Sequence, residues 1–162
     1  MNISKFTQKS VEILNNLEKI AYDFGAQEIA QEHLLYGMLT VEDSLIKKLI
    51  EKMDIDSDVF LAQVEGAVRK RPQVQGGQVY IGQDLNKVLV YAENEAKALG
   101  DEYVSVEHLF LSLLRKPSKE IKQLFHDFQI DRERFLQALS KVRGNQKVTT
   151  DNPEAVYDSL NK

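Results

Sequence analysis

One short run of residues occurs twice in this chain, and the duplication limits the possible folds more than any other feature does. Residues 32–39 (EHLLYGML) return as residues 107–114 (EHLFLSLL), so His33 and His108 stand 75 positions apart. The same ungapped offset pairs identical residues on both sides of the motif. The residues that recur unchanged 75 positions later are Gln8, Leu14, Ala21, Gly25, Ile46, Leu49, Ile55, Asp56, Phe60 and Leu61. A single register over about sixty residues indicates a duplicated structural unit.

Each unit has the residue spacing of a helical structure. Apolar residues recur at three- and four-residue steps, which is typical of helices with one buried face. Four helices are predicted in the first unit. The first covers 6–24 and is closed by Gly25, and the second is the central run at 32–39. The third covers 44–53, with Asp43 as a candidate cap, and the fourth follows Asp56, with Val59, Phe60, Val64 and Val68 as its inner residues. The second unit repeats the scheme, with its first stripe at Ile81, Leu85, Val88, Leu89, Ala92, Ala96 and Leu99 and with caps at Ser105, Ser118 and Asp131.

The segments between and after the units differ in composition from the helices. Residues 71–78 contain Pro72 and paired glycines and predict a surface loop. We therefore expect one all-α domain at 1–143, in which repeat one (1–71) and repeat two (80–143) pack with pseudo-twofold symmetry. Residues 144–162 predict a polar linker and a short helix begun by Asn152-Pro153. The chain looks like a piece of a longer protein.

Composition excludes several classes of function. The net charge of −4 and the pI near 5.4 provide no overall basic field for nucleic acid. The most apolar stretch, 109–114, is far too short to cross a bilayer. Cysteine is absent, so there are no thiolate metal ligands. The sequence has no G-x-x-x-x-G-K-[ST] loop, and we expect no ATP site in these residues.

The repeated Glu-His pair invites a metal or acid–base interpretation. Zinc-binding helices place two histidines at i and i+4, and neither His33 nor His108 has such a partner. We favour histidines that pack or hydrogen-bond beside a helix N-terminus, although the duplication could bring the two pairs together. Glu32 and Glu107 lie in first helical turns, where the helix dipole stabilises a carboxylate. A binding role for these two glutamates stays open.

Taken together, the tandem units, the E-H-L-L/F motifs and the preceding glycines resemble the N-terminal repeat domain of the Clp ATPases. Residues 71–77 (RPQVQGG) with Gln83-Asp84-Leu85 resemble the ClpB-type disaggregases, and residues 152–157 resemble the linker into their first nucleotide-binding module. The resemblance implies a cytoplasmic heat-shock chaperone that acts on unfolded or aggregated proteins. It also implies ATP, Mg²⁺, hexamer contacts and cooperation with a DnaK-type chaperone in other parts of the protein, with this fragment monomeric.

The resemblance suggests two residues of repeat one as binding residues. In related domains, a glutamate at the place of Glu32 and a threonine near the chain start, matched here by Thr7, help bind substrate or a phosphorylated arginine. In repeat two the glutamate is matched by Glu107, but Gly82 stands at the place of Thr7. Phosphoarginine recognition belongs chiefly to the ClpC type.

Tyr91 is the residue that periodicity marks out. It lies off the stripe through Leu89 and Ala92, and its counterpart in repeat one is the polar Asn16. By resemblance, its helix forms one wall of an apolar substrate groove. Other members of this candidate site, also by resemblance, are Asp101, Glu107 and His108, while Glu95 and His108 put polar groups where the ClpB type can carry apolar ones.

Four hypotheses about function are compared. We favour a domain that captures unfolded polypeptide for an ATP-driven threading motor, with weak and promiscuous binding. The alternatives are a docking module for a folded adaptor protein, or a phosphoarginine reader as in ClpC-type relatives. A free-standing metal-dependent enzyme is opposed by the missing ligands.

Overall fold

The computed structural model describes residues 3–160 and has the all-α architecture that the sequence predicts. A short 3₁₀ turn covers Ile3–Lys5. The remaining elements follow in chain order: α1 (Gln8–Asn15), α2 (Leu17–Asp23), β1 (Glu28–Ile29), α3 (Gln31–Thr40), α4 (Leu45–Lys52), α5 (Ser57–Arg69), β2 (Tyr80–Ile81), α6 (Gln83–Ala98), α7 (Val106–Arg115), α8 (Lys119–Asp127), α9 (Arg132–Arg143) and α10 (Glu154–Leu160).

The two units are related by reciprocal backbone pairing. In repeat one, Ile29 of β1 pairs in parallel with Ile81, which precedes α6. At the matching positions, Val104 pairs in parallel with Phe6, which precedes α1. Each repeat thus contributes the residue before its first helix to the other repeat. The predicted pseudo-twofold arrangement is confirmed.

The central helices α3 and α7 hold the shared core. Leu34 and Leu109, at matching positions in the two helices, are both fully buried. Around them α4 packs on α9 and α5 packs on α8, a second symmetric pair of contacts. In repeat two, the rings of Phe110 and Phe135 stack 4.5 Å apart. One continuous cluster of buried apolar residues joins both repeats.

The first helix of repeat one is not continuous, contrary to the prediction for 6–24. It breaks at Asn16, whose N–H donates to the carbonyl oxygen of Ile13 at 3.2 Å, three residues back instead of four. Asparagine is a weak helix former, and this one is solvent-exposed, so packing does not counteract the tighter turn. In repeat two, where Tyr91 replaces Asn16, α6 is unbroken.

The glycines predicted to close the first helix of each repeat do so in the same way. Gly25 and Gly100 have φ of 72° and 71°, the left-handed region in which glycine has no Cβ penalty. After each glycine the next N–H returns to the helix, from Ala26 to the Ala21 carbonyl at 2.8 Å and from Asp101 to the Ala96 carbonyl at 2.9 Å. These are C-terminal capping turns of the Schellman type.

Most of the predicted helix starts are confirmed. The side chains of Asp56, Ser118 and Asp131 accept hydrogen bonds from backbone N–H groups in the first turns of α5, α8 and α9. Asp43 was the wrong cap for α4, because Ser44 accepts the bond from the N–H of Lys47 at 3.0 Å.

Two apolar residues predicted to face the core do not. Val59 is exposed on α5, because its neighbour Phe60 occupies the buried face that Val64 and Val68 continue. Ile81 is also exposed, because it pairs through its backbone in β2 and lies before the first turn of α6.

The segment after α9, which we call the tail (residues 144–160), is packed on the domain, although the sequence predicts a linker there. Val148 is fully buried, and its carbonyl oxygen accepts the N–H of Glu102 at 2.8 Å. The backbone carbonyl of Asp151 accepts the N–H of Gln8 at 2.7 Å. The helix α10 then packs against α9, and its Tyr157 side chain is buried. The tail gains from the domain body the apolar contacts that its own sequence lacks.

Candidate functional site

Each central helix begins with the same histidine contact. The Nδ1 atoms of His33 and His108 accept the backbone N–H of Ala30 and Ser105, both at 2.8 Å. This is the histidine form of the reciprocal bond in a capping box. The predicted hydrogen-bonding role beside a helix N-terminus is confirmed. Within the described residues, no cluster of three or more histidine, aspartate or glutamate side chains could hold a metal ion.

Ser105 holds the N-cap position of α7 but does not cap it in the predicted way. Its hydroxyl donates to the carboxylate of Glu107 instead of accepting from the backbone. The Nδ1 atom of His108 satisfies the cap N–H, so the ring proton lies on Nε2 and is donated to Asp101 at 2.7 Å. The serine is thus part of a buried polar cluster.

That cluster joins α7, α9 and the tail. The guanidinium of Arg143 donates to Asp101 and, at 3.3 Å, to Glu107. The phenol of Tyr157 donates to the same oxygen of Glu107 at 3.1 Å. The N–H of Val148 donates to Asp101 at 2.9 Å. All four side chains are buried, so two carboxylates, one guanidinium and one phenol satisfy one another away from water.

The cluster also fixes the charges of its members. Burial raises the pKa of Asp101, but hydrogen bonds from His108, Arg143 and the backbone of Val148 lower it to about 2. Burial and the adjacent Glu107 carboxylate raise the pKa of the Tyr157 phenol well above its usual range. Asp101 is therefore an anion and Tyr157 a neutral hydrogen-bond donor at neutral pH.

Asp101, Glu107 and His108, predicted to contact substrate, are thus internal residues of repeat two. In the described arrangement their side chains contact Arg143, Ser105 and the tail instead of solvent. A contact between them and a polypeptide stays a prediction, and it would require the tail to leave.

The surroundings of Glu32 differ from those of its counterpart Glu107. Glu32 is 1% exposed, and neither carboxylate oxygen has a hydrogen-bond partner among the described residues. Arg71 is the nearest cation, with its Nη1 atom 3.8 Å from one oxygen. Burial raises the pKa of Glu32, and its own backbone N–H, followed by Arg71, partly opposes that effect. A buried carboxylate that accepts no hydrogen bond from another side chain carries a large desolvation cost.

Thr7 does not share a neighbourhood with Glu32. Thr7 is buried at the start of α1, where its N–H donates to the Val104 carbonyl of repeat two at 2.9 Å. Its hydroxyl contacts that of Ser10 at 2.9 Å. At the matching place in repeat two, the N–H of Gly82 donates to the Ile29 carbonyl at 2.9 Å. A binding role for Thr7 stays a prediction.

The phase predicted for Tyr91 is confirmed. Its side chain is 40% exposed on α6, next to the exposed Val90, while Leu89 and Ala92 are buried. The ammonium of Lys116 lies 4.9 Å from the centre of the Tyr91 ring, a cation–π contact from the end of α7. This exposed aromatic and its aliphatic neighbour form a small apolar surface on α6. A substrate groove at this surface stays a prediction.

Glu95, one turn beyond Tyr91, does not place a charge on that surface. It is buried, with its two carboxylate oxygens on Arg115 at 2.5 Å and Arg132 at 2.7 Å. His108 is buried as well. Both residues that appeared to make the groove more polar are engaged in internal contacts.

Three residues of these contacts lay outside the predicted site. The sequence predicts Arg143 only as the end of a helix, Tyr157 only as part of the linker and Arg71 only as part of a loop. An arginine and a tyrosine 36 and 50 residues beyond Glu107 give no local signal of their meeting. Among residues 3–160, no helix combines the length and apolar character needed to cross a membrane.

Fold and site together define a class: a tandem-repeat helical domain with a small exposed aromatic surface and no catalytic constellation in its described residues. Comparison with known families gives a match to the Clp repeat (R) N-terminal domain over residues 5–128. The chain belongs to this family, and it is the N-terminal repeat domain, not the ATPase part.

Curated relatives and solved structures agree with that assignment. The chaperone protein ClpB of Nitratidesulfovibrio vulgaris is 40% identical over 168 residues, which cover 100% of this chain and 19% of that protein. ClpB of Bacillus cereus is 37% identical over 167 residues, with the same coverage. The chain thus spans about a fifth of the length of these relatives. The Hsp104 N-terminal domain of Candida albicans has the same fold, with a TM-score of 0.81 at 20% identity, covering 93% of this chain and 99% of that one.

The fold also occurs in the ClpV N-domain. That domain from Vibrio cholerae has a TM-score of 0.71 at 19% identity, covering 86% of this chain and 85% of that chain. A further match is a complex of a ClpV N-domain with a VipB peptide, with a TM-score of 0.67 at 20% identity, covering 85% and 86% of the two chains.

Proposed function

We propose that this domain captures unfolded or aggregated polypeptide through the surface of α6 that carries Val90 and Tyr91. The observation that carries the proposal is the exposure of Tyr91, an aromatic side chain that the core does not use. Amphipathic aromatic rings are frequent binding anchors, because they bury much area at small conformational cost. Lys116 over the ring adds a cation beside the apolar surface.

The matches to ClpB support the biological setting. In that setting the domain delivers polypeptide to a hexameric threading motor that uses ATP and Mg²⁺, in the cytoplasm and together with a DnaK-type chaperone. The peptide complex of a ClpV N-domain supports the use of this fold for binding protein segments. A small surface that serves many sequences should bind each of them weakly.

Mutation of Tyr91 tests the proposal. Titration of the domain with a reduced, carboxymethylated protein that cannot refold should give several-fold weaker binding for Tyr91→Ala, in line with about 1 kcal/mol or more for an aromatic anchor. The free energy of unfolding should change by less than about 0.5 kcal/mol, since the ring is off the core face.

Two variants serve as controls. Tyr22, on α2, is 78% exposed, so Tyr22→Ala removes a more exposed aromatic at a different place. Asn16→Ala changes the position in repeat one that matches Tyr91. Both should bind like the parent. Equal weakening by Tyr22→Ala would show non-specific adhesion, and unaltered binding by Tyr91→Ala would refute the proposed surface.

The choice of ligand distinguishes capture of unfolded polypeptide from the competing function, which is docking of a folded adaptor. Capture predicts that the native form of the same protein does not bind, because its apolar segments are buried. A domain that ignores the unfolded form but forms a defined complex with a native protein would be an adaptor dock.

A further inference from the structure

An open cleft beside the apolar surface of α6 combines apolar and cationic side chains. It has a volume of about 470 Å³ and lies between the end of α7, α8 and the start of α9. Phe125 and Ile130 are among its apolar lining residues. Three permanent cations also line it, and they are Arg115, Lys122 and Arg132. We call this space the arginine cleft.

The arginine cleft and the α6 surface are joined by two contacts. Lys116, whose ammonium lies 4.9 Å from the centre of the Tyr91 ring, directly follows Arg115 in the chain. Glu95, one helical turn after Tyr91, accepts hydrogen bonds from Arg115 and Arg132. Four residues of an α-helix rise about 6 Å, so the cleft begins about two residues of extended chain from the ring.

The matching cleft of repeat one lacks these charges. That cleft has a volume of about 540 Å³, and Thr40 and Ser57 stand there in place of the two arginines. The buried Ile20 stands in place of Glu95. The repeat fold therefore forms without the charged triad, which points to a role beyond packing for the triad in repeat two.

Glu95 fixes two guanidinium groups at the cleft. Burial raises the pKa of Glu95, but hydrogen bonds from Arg115 and Arg132 bring it below its usual value, so the carboxylate is an anion at neutral pH. Each arginine uses one nitrogen for this contact, Nε of Arg115 and Nη1 of Arg132. Their side chains stay 53% and 33% exposed, and their other nitrogens have no partner among the described residues. Such oriented guanidinium groups match the geometry of a carboxylate.

The cleft is positive within a chain whose net charge is −4. The carboxylate of Asp131 also lines it, with one oxygen on the N–H of Arg134 in the first turn of α9. Glu95 is buried against the two arginines, and Lys116 stands at the edge toward Tyr91. In this part of the described chain, four cations thus face two carboxylates. Charge complementarity favours an anionic occupant.

We propose that the arginine cleft selects, among the polypeptides that the α6 surface captures, segments with a carboxylate side chain about two or three residues from the apolar residue seated at Tyr91. The inference rests on the proposed function and names its preferred substrate class. Arg115 and Arg132 bind the carboxylate, and Glu95 positions them.

Two unstructured peptides are the probes. Each has one phenylalanine in a glycine-serine background. The first carries glutamate two and three positions away on both sides of the phenylalanine, and the second carries glutamine at the same places. Each is titrated into the isotope-labelled 162-residue domain, and the amide shifts give Kd. The glutamate peptide should bind about fivefold more tightly, as for one charge-assisted contact at a partly exposed site, with additional shifts at Arg115, Lys122 and Arg132.

Variants separate the cleft from general electrostatics. Glu95→Ile/Arg115→Thr/Arg132→Ser gives repeat two the residues that repeat one packs at the matching places, and the ratio of the two Kd values should fall to about one. Lys122→Gln leaves the Glu95 contacts intact and should roughly halve the ratio. Lys119→Gln, at an exposed position of the same helix outside the cleft, should keep the ratio of the parent.

The outcomes distinguish this inference from the proposed function. Equal Kd values of the two peptides in the parent, an unaltered ratio in the triple variant, or a ratio that Lys119→Gln also removes would overturn the inference, while binding of the glutamine peptide at α6 would keep the proposed function. Tyr91→Ala should weaken both peptides and keep their ratio. Lack of binding of either peptide to the parent would overturn both proposals. A glutamate peptide that binds equally well with serine in place of phenylalanine would identify a plain anion site and overturn the selection.

Discussion

At the scale of single residues, the two glutamates of the repeated motif share a local sequence but have different hydrogen-bond partners. Glu32 and Glu107 begin matching helices, yet among the described residues only Glu107 accepts hydrogen bonds from other side chains. The difference arises from residues outside the motif. Ser105 and Tyr157 supply donors in repeat two, and Ala30 supplies none in repeat one.

His33 gives a prediction about pH. Burial, and secondarily Arg71, lower its pKa from 6.5 to about 4. Between these values the unfolded chain binds a proton that the folded domain does not, so stability is complete above pH 6.5 and falls as the pH decreases toward 4. At pH 4 the free energy of unfolding of His33→Gln should therefore have fallen by about 3 kcal/mol less than that of the parent.

Glutamine is the matched replacement because it can accept the same N-cap N–H and does not titrate. The measurement is urea unfolding of parent and variant at several pH values between 7 and 4. Identical slopes for the two proteins would show that His33 is not the titrating group.

Local sequence was sufficient for some residues and insufficient for others. The caps Asp56, Ser118 and Asp131 bond to backbone within three residues, so their roles are visible in a short window. The roles of Arg143 and Tyr157 depend on where α9 and the tail meet α7. That meeting is set by tertiary packing, which a single sequence pattern does not report.

At the scale of elements, the helices followed from apolar periodicity, and the exceptions have physical causes. The break at Asn16 depends on one exposed weak helix former within an otherwise helical pattern. The tail was harder to predict, because its polar composition is typical of a linker. Val148 and Tyr157 are its main buried apolar side chains in the described part of the chain, and they are sufficient to dock it.

Tyr157→Ala should release α10. The substitution removes a buried ring and the phenol bond to Glu107, a loss of about 3–5 kcal/mol for a large aromatic side chain when the element cannot detach. Because α10 is held mainly by its contacts with α9, we expect it to undock instead. Hydrogen exchange of α10 amides should become fast while α3 and α7 stay protected.

Val156→Ala is the control for this element, since Val156 is an exposed neighbour on the same helix. It should leave the exchange of α10 unaltered. Slow exchange of α10 in Tyr157→Ala would mean that other contacts hold the tail.

At the scale of the whole molecule, the duplication determines the architecture. Reciprocal pairing of Phe6 with Val104 and of Ile81 with Ile29 binds each repeat to the other. The pseudo-twofold relation was readable from the 75-residue offset, whereas β1 and its pairing with β2 were not, because two-residue strands have no period of their own.

Leu34→Ala and Leu109→Ala test whether the repeats unfold as one. Both side chains are fully buried in the shared cluster, so each substitution should cost about 2–5 kcal/mol. Thermal unfolding followed by circular dichroism and by repeat-specific amide signals should give a single transition. A melt in which one repeat survives would show two independent domains.

The central claim is that the α6 surface around Tyr91 receives unfolded polypeptide, and amide chemical-shift mapping tests it most directly. A reduced, carboxymethylated protein is titrated into the isotope-labelled domain. The account predicts the largest shifts at Val90, Tyr91 and the adjacent Lys116, with the core amides of α3 unaltered. Shifts centred on Tyr22, shifts confined to α5 and α8, or none at saturating ligand would contradict it.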